Sequence, residues 1–141
     1  MHVNTAHWTT SRLLNTAARL TAHQQNLRLM DSDVNQTGET TLKALSDSGP
    51  VSQTRLAVLV HVQAQTMGKI LEKLELKGLV ARARSTRDGR SIRTRITERG
   101  KTVLRRIDRL NGAPAGPAGP SDQVLRDGLI SIITRLEAAP A

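Results

Sequence analysis

The 141-residue sequence contains no cysteine, no phenylalanine and no tyrosine, and Trp8 is its only tryptophan. Without cysteine the chain forms no disulfide and offers no thiolate for metal binding or redox chemistry. Its core must therefore be built from aliphatic side chains. The shortage of aromatics also argues against single-stranded nucleic acid as the main target, because proteins that bind it stack the bases on aromatic rings.

Long hydrophobic runs are also missing. No stretch approaches the roughly 18 apolar residues that a membrane-spanning helix needs, and residues 1–10 lack the basic and apolar regions of a signal peptide. We therefore expect a cytoplasmic protein. The sequence contains no glycine-rich phosphate-binding loop and no motif that supports a Ser/His/Asp set, so we expect neither an enzyme nor a cofactor.

Positive charge is abundant and concentrated. The chain carries 21 Lys and Arg against 12 Asp and Glu, a formal net charge of +9. Residues 82–109 alone hold eleven basic and three acidic residues, a surplus of eight, so the rest of the chain is close to neutral. A concentrated surplus of this kind indicates a polyanionic partner such as nucleic acid.

Hydrophobic periodicity divides the chain into helices and two short strands. The strands are expected at 79–84 and 92–96, where apolar and polar or basic residues alternate, and a Pro/Gly/Ala linker at 111–120 is expected to exclude helix and strand. The predicted helices are Thr9–Met30, Thr37–Asp47, Gln53–Val60, Gln63–Lys77, Thr97–Leu110 and Asp122–Ala138.

The third and fourth predicted helices have the proportions of a helix-turn-helix. Ser52 is placed to cap the shorter one, His61 and Val62 form the turn, and Gly78 follows the longer one as a left-handed cap. A basic hairpin comes next, with a tight-turn signal at 88–89. The predicted fold class is mainly α with a small β-hairpin, a winged helix-turn-helix over about residues 37–100.

The polar stretch at the start of the longer helix suits the major groove of double-stranded DNA. Glutamine can pair with adenine and lysine with guanine through two hydrogen bonds each, and Gly68 allows close approach. The alternative interpretation is an ordinary solvated helix face. The candidate DNA-binding residues are Ser52, Gln53, Gln63, Gln65, Thr66, Lys69, Lys73, Arg84, Arg87, Asp88 and Arg90.

The hairpin strengthens the DNA interpretation. Arginine at the tip of a β-ribbon can enter the narrow minor groove, where the negative potential is enhanced, and Asp88 could orient the guanidinium group of Arg90. A charged edge that prevents strand pairing is the alternative, but five arginines with one aspartate are lopsided for that purpose. The five arginines are Arg84, Arg87, Arg90, Arg93 and Arg95.

Several of these segments together resemble the MarR family of bacterial transcription regulators. They are LELKGLV at 74–80, Arg84, DGR at 88–90 and ITERG at 96–100, where Ile96 replaces the usual leucine. GPVS at 49–52 resembles the family's lead into the helix-turn-helix. The resemblance covers residues 49–100, and the flanking helices agree in length and order only.

This resemblance implies a homodimer in which the N- and C-terminal helices intertwine, here at about 5–30 and 97–138, within a single domain over residues 1–141. It implies binding to pseudo-palindromic operators, usually as a repressor. It also implies a possible small effector, often phenolic or anionic, in a cleft between the dimerisation and DNA-binding regions. The absence of cysteine excludes the family's peroxide-sensing thiol variants.

Other sites and functions have weaker support. His2, His7 and His23 lack the partners and spacing of a metal site, so we expect none. Trp8 and Arg12 lie one turn apart and could line an effector cleft, although a dimer interface suits Trp8 better. The alternative functions are a sequence-independent architectural DNA-binding protein and a winged helix used only for protein contacts.

Overall fold

The computed structural model describes residues 4–29, 34–84, 92–111 and 120–139. It confirms the predicted fold class, with ends that differ from the predicted ones by at most two residues. The elements are α1 (Thr10–Arg28), α2 (Gln36–Ser48), α3 (Gln53–Val60), α4 (Ala64–Leu76), β1 (Val80–Arg84), β2 (Ile92–Ile96), α5 (Glu98–Asn111) and α6 (Pro120–Ala138).

Short polar side chains fix where the helices begin. The side-chain oxygen of Asn35 accepts the backbone N–H of Gly38 at 2.8 Å, and the Ser52 hydroxyl accepts that of Arg55 at 3.1 Å. Each bond satisfies an N–H group that has no partner within its own helix. Gly78 has a φ angle of +75° just beyond α4, which confirms the predicted left-handed cap.

The linker prediction was wrong at its two ends. Asn111 is the last residue of α5 and Pro120 the first of α6. Proline is well tolerated at the first position of a helix, because an N–H group there has no intrahelical acceptor. The remaining linker residues, 112–119, lie outside the described part of the chain.

The core is aliphatic, as the composition requires. Leu42 and Leu45 of α2, Leu56 of α3, and Met67 and Leu71 of α4 are fully buried. Leu104 and Ile107 of α5 complete the same cluster together with Leu79, Val80 and Ile96 at the hairpin. One face of α4 is thereby held against the core, which fixes the direction of its opposite face.

The hairpin is antiparallel, with Val80 opposite Ile96 and Arg84 opposite Ile92. A third partner joins it at the inner edge of β2. The backbone of Val51 accepts from Thr94 N–H at 2.8 Å and donates to Thr94 C=O at 3.1 Å. This bridge links the beginning of α3 to the wing. It could not be predicted from the sequence, because a single residue shows no strand period.

Residue contacts divide the chain into two units, 1–110 and 111–141. In the first unit α1 contributes Leu29 to the core but exposes Leu13, Leu20 and Leu27. In the second unit α6 exposes its apolar side chains Val124, Leu125, Ile130, Ile133 and Leu136. None of the helices in the described ranges is long and apolar enough to cross a membrane.

Candidate nucleic-acid interface

Helix α4 presents a polar face to solvent. Met67, Leu71 and Leu74 are buried on its inner side, at the three- and four-residue spacings of one helix face. Gln65 and Lys69, also four residues apart, share the opposite face and are exposed. We call α4 the reading helix, because this exposed face is the one that could enter a DNA groove.

The beginning of the reading helix lacks a side-chain cap. Gln63 is its N-cap residue, is exposed, and makes no capping hydrogen bond. Glutamine is a poor substitute for the serine, aspartate or asparagine that usually caps a helix. Its amide therefore remains available to a partner outside the chain, as do the exposed side chains of Gln65 and Thr66 in the first turn.

Two predicted DNA-binding residues form contacts within the chain. The Ser52 hydroxyl is the N-cap of α3, where it accepts the backbone N–H of Arg55. The Nε2 group of Gln53 donates to the carbonyl oxygen of Ala64 at 3.0 Å and so reaches across to the reading helix. Both residues are half-buried. The Ser52 cap is local and was predicted from the sequence, whereas the Gln53 contact depends on tertiary geometry, which the sequence pattern does not show.

A cleft of about 560 Å³ lies between the reading helix, the end of α1 and the beginning of α2. Thr66, Lys69 and Lys73 line it, so three predicted DNA-binding residues also border this cleft. The cleft was not predicted from the sequence. The one sequence signal for it is the four-residue spacing of Lys69, Lys73 and Lys77, which places three ammonium groups along one side of the helix. The other lining residues are Asn26, Leu29, Val34, Asn35, Gly38, Ile70 and Leu74.

Trp8 and Arg12 form a pair of their own. The guanidinium carbon of Arg12 lies 3.8 Å from the centroid of the Trp8 ring, a cation–π contact. Neither residue lines the cleft, whose α1 residues are Asn26 and the C-cap Leu29. The structure therefore does not bring the two predicted ligand-binding candidates to this cavity.

The base of the wing is well defined. Arg84 is exposed at the end of β1, whereas Arg82 is half-buried and its Nε lies 3.8 Å from Oε2 of Glu75 on the reading helix. Arg93 donates a hydrogen bond of 3.4 Å to the carbonyl oxygen of Pro50. This arginine therefore bonds within the chain, to the segment that precedes α3. The predicted tip residues Arg87, Asp88 and Arg90 lie outside the described residues.

His61 ends α3 in the left-handed conformation, with φ of 62° and ψ of 44°. It forms the predicted turn and is exposed. Within the described ranges, no three His, Asp or Glu side chains lie close enough together to hold a metal ion.

Comparison with known proteins agrees with this geometry. Residues 34–92 match the model of the MarR family. The chain is 32% identical over 80 residues to the HTH-type transcriptional regulator YpoP of Bacillus subtilis, covering 57% of each chain. It is 39% identical over 67 residues to the HTH-type transcriptional repressor Rv2887 of Mycobacterium tuberculosis, covering 48% of each. The chain thus spans about half the length of the curated relatives that it matches.

Solved structures extend the likeness over nearly the whole chain. The repressor CouR, bound to a 23-mer DNA duplex, superposes with a TM-score of 0.79 at 19% identity, covering 97% of this chain and 98% of CouR. BpsR of Bordetella bronchiseptica, whose DNA binding is regulated by 6-hydroxynicotinic acid, superposes with a TM-score of 0.77 at 17% identity and covers 99% of each chain. The segment at residues 34–92 is thus similar to the MarR family, and the solved structures share the fold of the chain.

Proposed function

We propose that this chain is a sequence-specific regulator of transcription that binds double-stranded DNA and has no enzymatic activity. The observation that carries the proposal is the exposed polar face of the reading helix, with Gln65 and Lys69 held outward by the buried Met67 and Leu71. The major groove accepts one α-helix, and these side-chain types pair with adenine and guanine edges. A regulator of this kind works in the cytoplasm, where the bacterial chromosome lies.

Positive charge should supply the part of the DNA affinity that does not depend on base sequence. The surplus of eight positive charges in residues 82–109 belongs to the wing and to α5. Arginine and lysine that neutralise phosphates release counterions, so binding should weaken steeply as salt rises. Base-edge contacts from the reading helix would then choose the sequence.

The chain should act as a homodimer through its terminal helices. Leu13, Leu20 and Leu27 of α1 are exposed at helical spacing, and α6 exposes five large apolar side chains. Pairing two chains would remove this surface from water. Deleting residues 121–141 is expected to give a monomer or an aggregate in light scattering, and a well-folded truncated dimer would refute the assignment. A two-fold dimer should protect two half-sites about one helical turn apart.

The deciding experiment begins with selection of duplexes from a random library by the full chain. Fluorescence anisotropy then gives Kd for the selected duplex and for a scrambled one at the same physiological salt. A specific regulator should prefer its selected duplex by at least about a thousandfold. Equal Kd values for the two duplexes would favour the architectural alternative, and no binding to either would reject DNA as the partner.

We also propose that a small aromatic acid in the cleft releases the DNA. The lysines could bind a carboxylate, while Leu29, Ile70 and Leu74 offer apolar contact to a ring. Because Lys69 and Lys73 line the cleft and belong to the reading helix, an occupant would compete for them or displace the helix. The regulation of BpsR by 6-hydroxynicotinic acid supports this class of effector.

The effector proposal is tested by titrating 6-hydroxynicotinate and 4-hydroxybenzoate into the complex with the selected duplex. Release by either acid, weakened by Lys77→Ala, is expected, because Lys77 lines the cleft near the end of the helix that is remote from Gln65. Arg19→Ala on α1 removes one positive charge outside the cleft and outside residues 82–109, and it should leave release unchanged. If neither acid binds in calorimetry, this effector class is wrong, while the DNA-binding proposal stands.

A further inference from the structure

One glutamine side chain joins the first residues of the two helices of the helix-turn-helix. Gln53 begins α3 and Ala64 begins the reading helix. The Nε2 group of Gln53 donates to the Ala64 carbonyl oxygen at 3.0 Å, across eleven positions of sequence. The bond therefore ties the N-terminal end of the reading helix to the N-terminal end of the helix packed beside it.

Gly68 lies one turn further along the reading helix and makes room for this amide. A Cβ atom at position 68 would lie 3.0 Å from Nε2 of Gln53 and 3.8 Å from its Cδ. Carbon atoms in ordinary contact are about 3.5–4.0 Å apart. A side chain at position 68 would therefore make the amide shift by a few tenths of an ångström, which strains its bond to the Ala64 carbonyl oxygen. Glycine weakens a helix relative to alanine, so helix stability alone would favour alanine here.

Three other features act on the N-terminal end of the reading helix: its N-cap residue, the turn before it and the core beneath it. Its N-cap residue, Gln63, makes no capping hydrogen bond. The turn before it is closed by the backbone bond from Val62 N–H to the Ala57 carbonyl oxygen at 3.0 Å. The core sets the direction of the helix through the buried Met67, Leu71 and Leu74. The bond from Gln53 adds a contact on the flank, which limits small rotations of the helix about its own axis.

We propose that Gln53 is a positioning residue for base recognition, and that Gln53 and Gly68 act as a pair, the Gln53–Gly68 lock. The lock holds the reading helix at the rotation that aims Gln65 and Lys69 at base edges. Paired hydrogen bonds to one base tolerate little misalignment, whereas phosphate contacts from flexible lysines and arginines tolerate more. The inference rests on the proposed DNA-binding function and deepens it.

The test is a double-mutant cycle in the full chain. Gln53→Met keeps the length of the side chain and removes the donor, and Gly68→Ala removes the space for the amide. Affinity is measured by fluorescence anisotropy against a duplex that the wild-type chain selects from a random library and against a scrambled duplex. Melting followed by circular dichroism reports folding for all four proteins.

Each single variant is expected to bind the selected duplex about fivefold more weakly, the usual effect of one net hydrogen bond. Binding to the scrambled duplex should stay unchanged, and Gly68→Ala should melt at or above the wild-type temperature. The double variant should lose no more than Gln53→Met alone. Loss of specific affinity without loss of stability is the readout that a merely structural role would not give.

Other outcomes overturn the lock. If the two single losses multiply in the double variant, the residues act independently. If Gln53→Met weakens both duplexes equally, Gln53 contacts the DNA backbone instead of positioning the helix. A wild-type chain that selects no duplex refutes the proposed function and the lock together, whereas selection without coupling between the two residues refutes the lock alone.

Discussion

The hydroxyl group of Thr97 donates a hydrogen bond of 2.7 Å to the carbonyl oxygen of Gly78. The same hydroxyl accepts the backbone N–H of Gly100 at 3.0 Å. Thr97 therefore caps α5 and at the same time holds Gly78, which lies just beyond the reading helix. This one side chain closes the base of the wing, because β1 and β2 leave from and return to these two points.

Thr97→Val should lower the free energy of unfolding by about 1–2 kcal/mol. The substitution keeps the shape and removes both the cap and the bond to Gly78. Thr97→Ser retains the hydroxyl and is the matched control, with an expected loss below about 0.5 kcal/mol. Urea unfolding followed by circular dichroism measures both changes. A larger loss for serine than for valine would show that the methyl group matters rather than the hydrogen bonds.

Gly100→Ala should destabilise the fold by about 2–3 kcal/mol, in the upper part of the range for overpacked cores. A Cβ atom at position 100 would overlap the Leu79 carbonyl oxygen and would lie 2.7 Å from Cγ1 of Ile96. Backbone has to move to admit it, since Leu79 O also accepts the N–H of Thr97. Thr102→Ala, exposed on the same helix, should change stability by less than about 0.5 kcal/mol. Comparable melting temperatures for both variants would contradict the close approach.

The Glu39–Lys43 ion pair of α2 should stabilise the fold at neutral pH and lose this effect at alkaline pH. Nζ of Lys43 lies 2.8 Å from Oε1 of the buried Glu39, and this hydrogen bond raises the pKa of Lys43 above its ordinary value. A raised lysine pKa adds stability below the unfolded pKa of about 10.4. That contribution is lost as pH rises through the folded value. The stability gap between wild type and Lys43→Met should thus be constant up to about pH 9.5 and should close above about pH 10.5.

Glu39→Gln provides the control for this prediction. Without the carboxylate, the difference in unfolding free energy between lysine and methionine at position 43 should be smaller and should change less with pH over the same interval. Urea unfolding of the four proteins at several pH values gives the comparison. A difference that narrows equally in both backgrounds would assign the raised pKa of Lys43 to Asp47 and Asp108 rather than to Glu39.

Local pattern was enough to predict most of the fold. The bounds of α3 and β2 were predicted to the residue, because Ser52 and Pro50 mark one beginning and the alternation at 92–96 marks the other. The exposed outward face of the reading helix also follows from its buried stripe. These features depend on neighbours three or four positions away, which a sequence displays directly.

Features that join distant segments could not be predicted in the same way. The Val51–Thr94 bridge, the bond from Gln53 to Ala64 and the cleft between Asn26, Asn35 and Lys73 all depend on packing. Gln53 was predicted to bind DNA, and glutamine is equally suited to DNA and to a carbonyl group. Its bond to Ala64 is a contact that the residue type permits and that the sequence pattern does not show.

The reading helix and the wing should contribute differently to DNA binding. Lys69→Ala or Gln65→Ala is expected to relax the preference at particular base pairs, at a cost of about 1–3 kcal/mol if the contact uses two hydrogen bonds. Arg90→Ala should weaken binding to all sequences, because a minor-groove or phosphate contact carries little base information. Asp88→Ala should be a milder form of Arg90→Ala, since the carboxylate would only orient its neighbour.

Arg19→Ala is the control for these variants, because it removes one positive charge on α1, outside residues 82–109. Wild type and the five variants are titrated against the selected and the scrambled duplex near physiological ionic strength, where the Debye length is about 8 Å. At lower salt, loss of the Asp88 negative charge near DNA could mask the loss of orientation. Lys69→Ala should lower the ratio of the two affinities, while Arg90→Ala should lower both affinities and keep their ratio. If Arg90→Ala bound the selected duplex as tightly as wild type, the wing would not be a DNA-binding element.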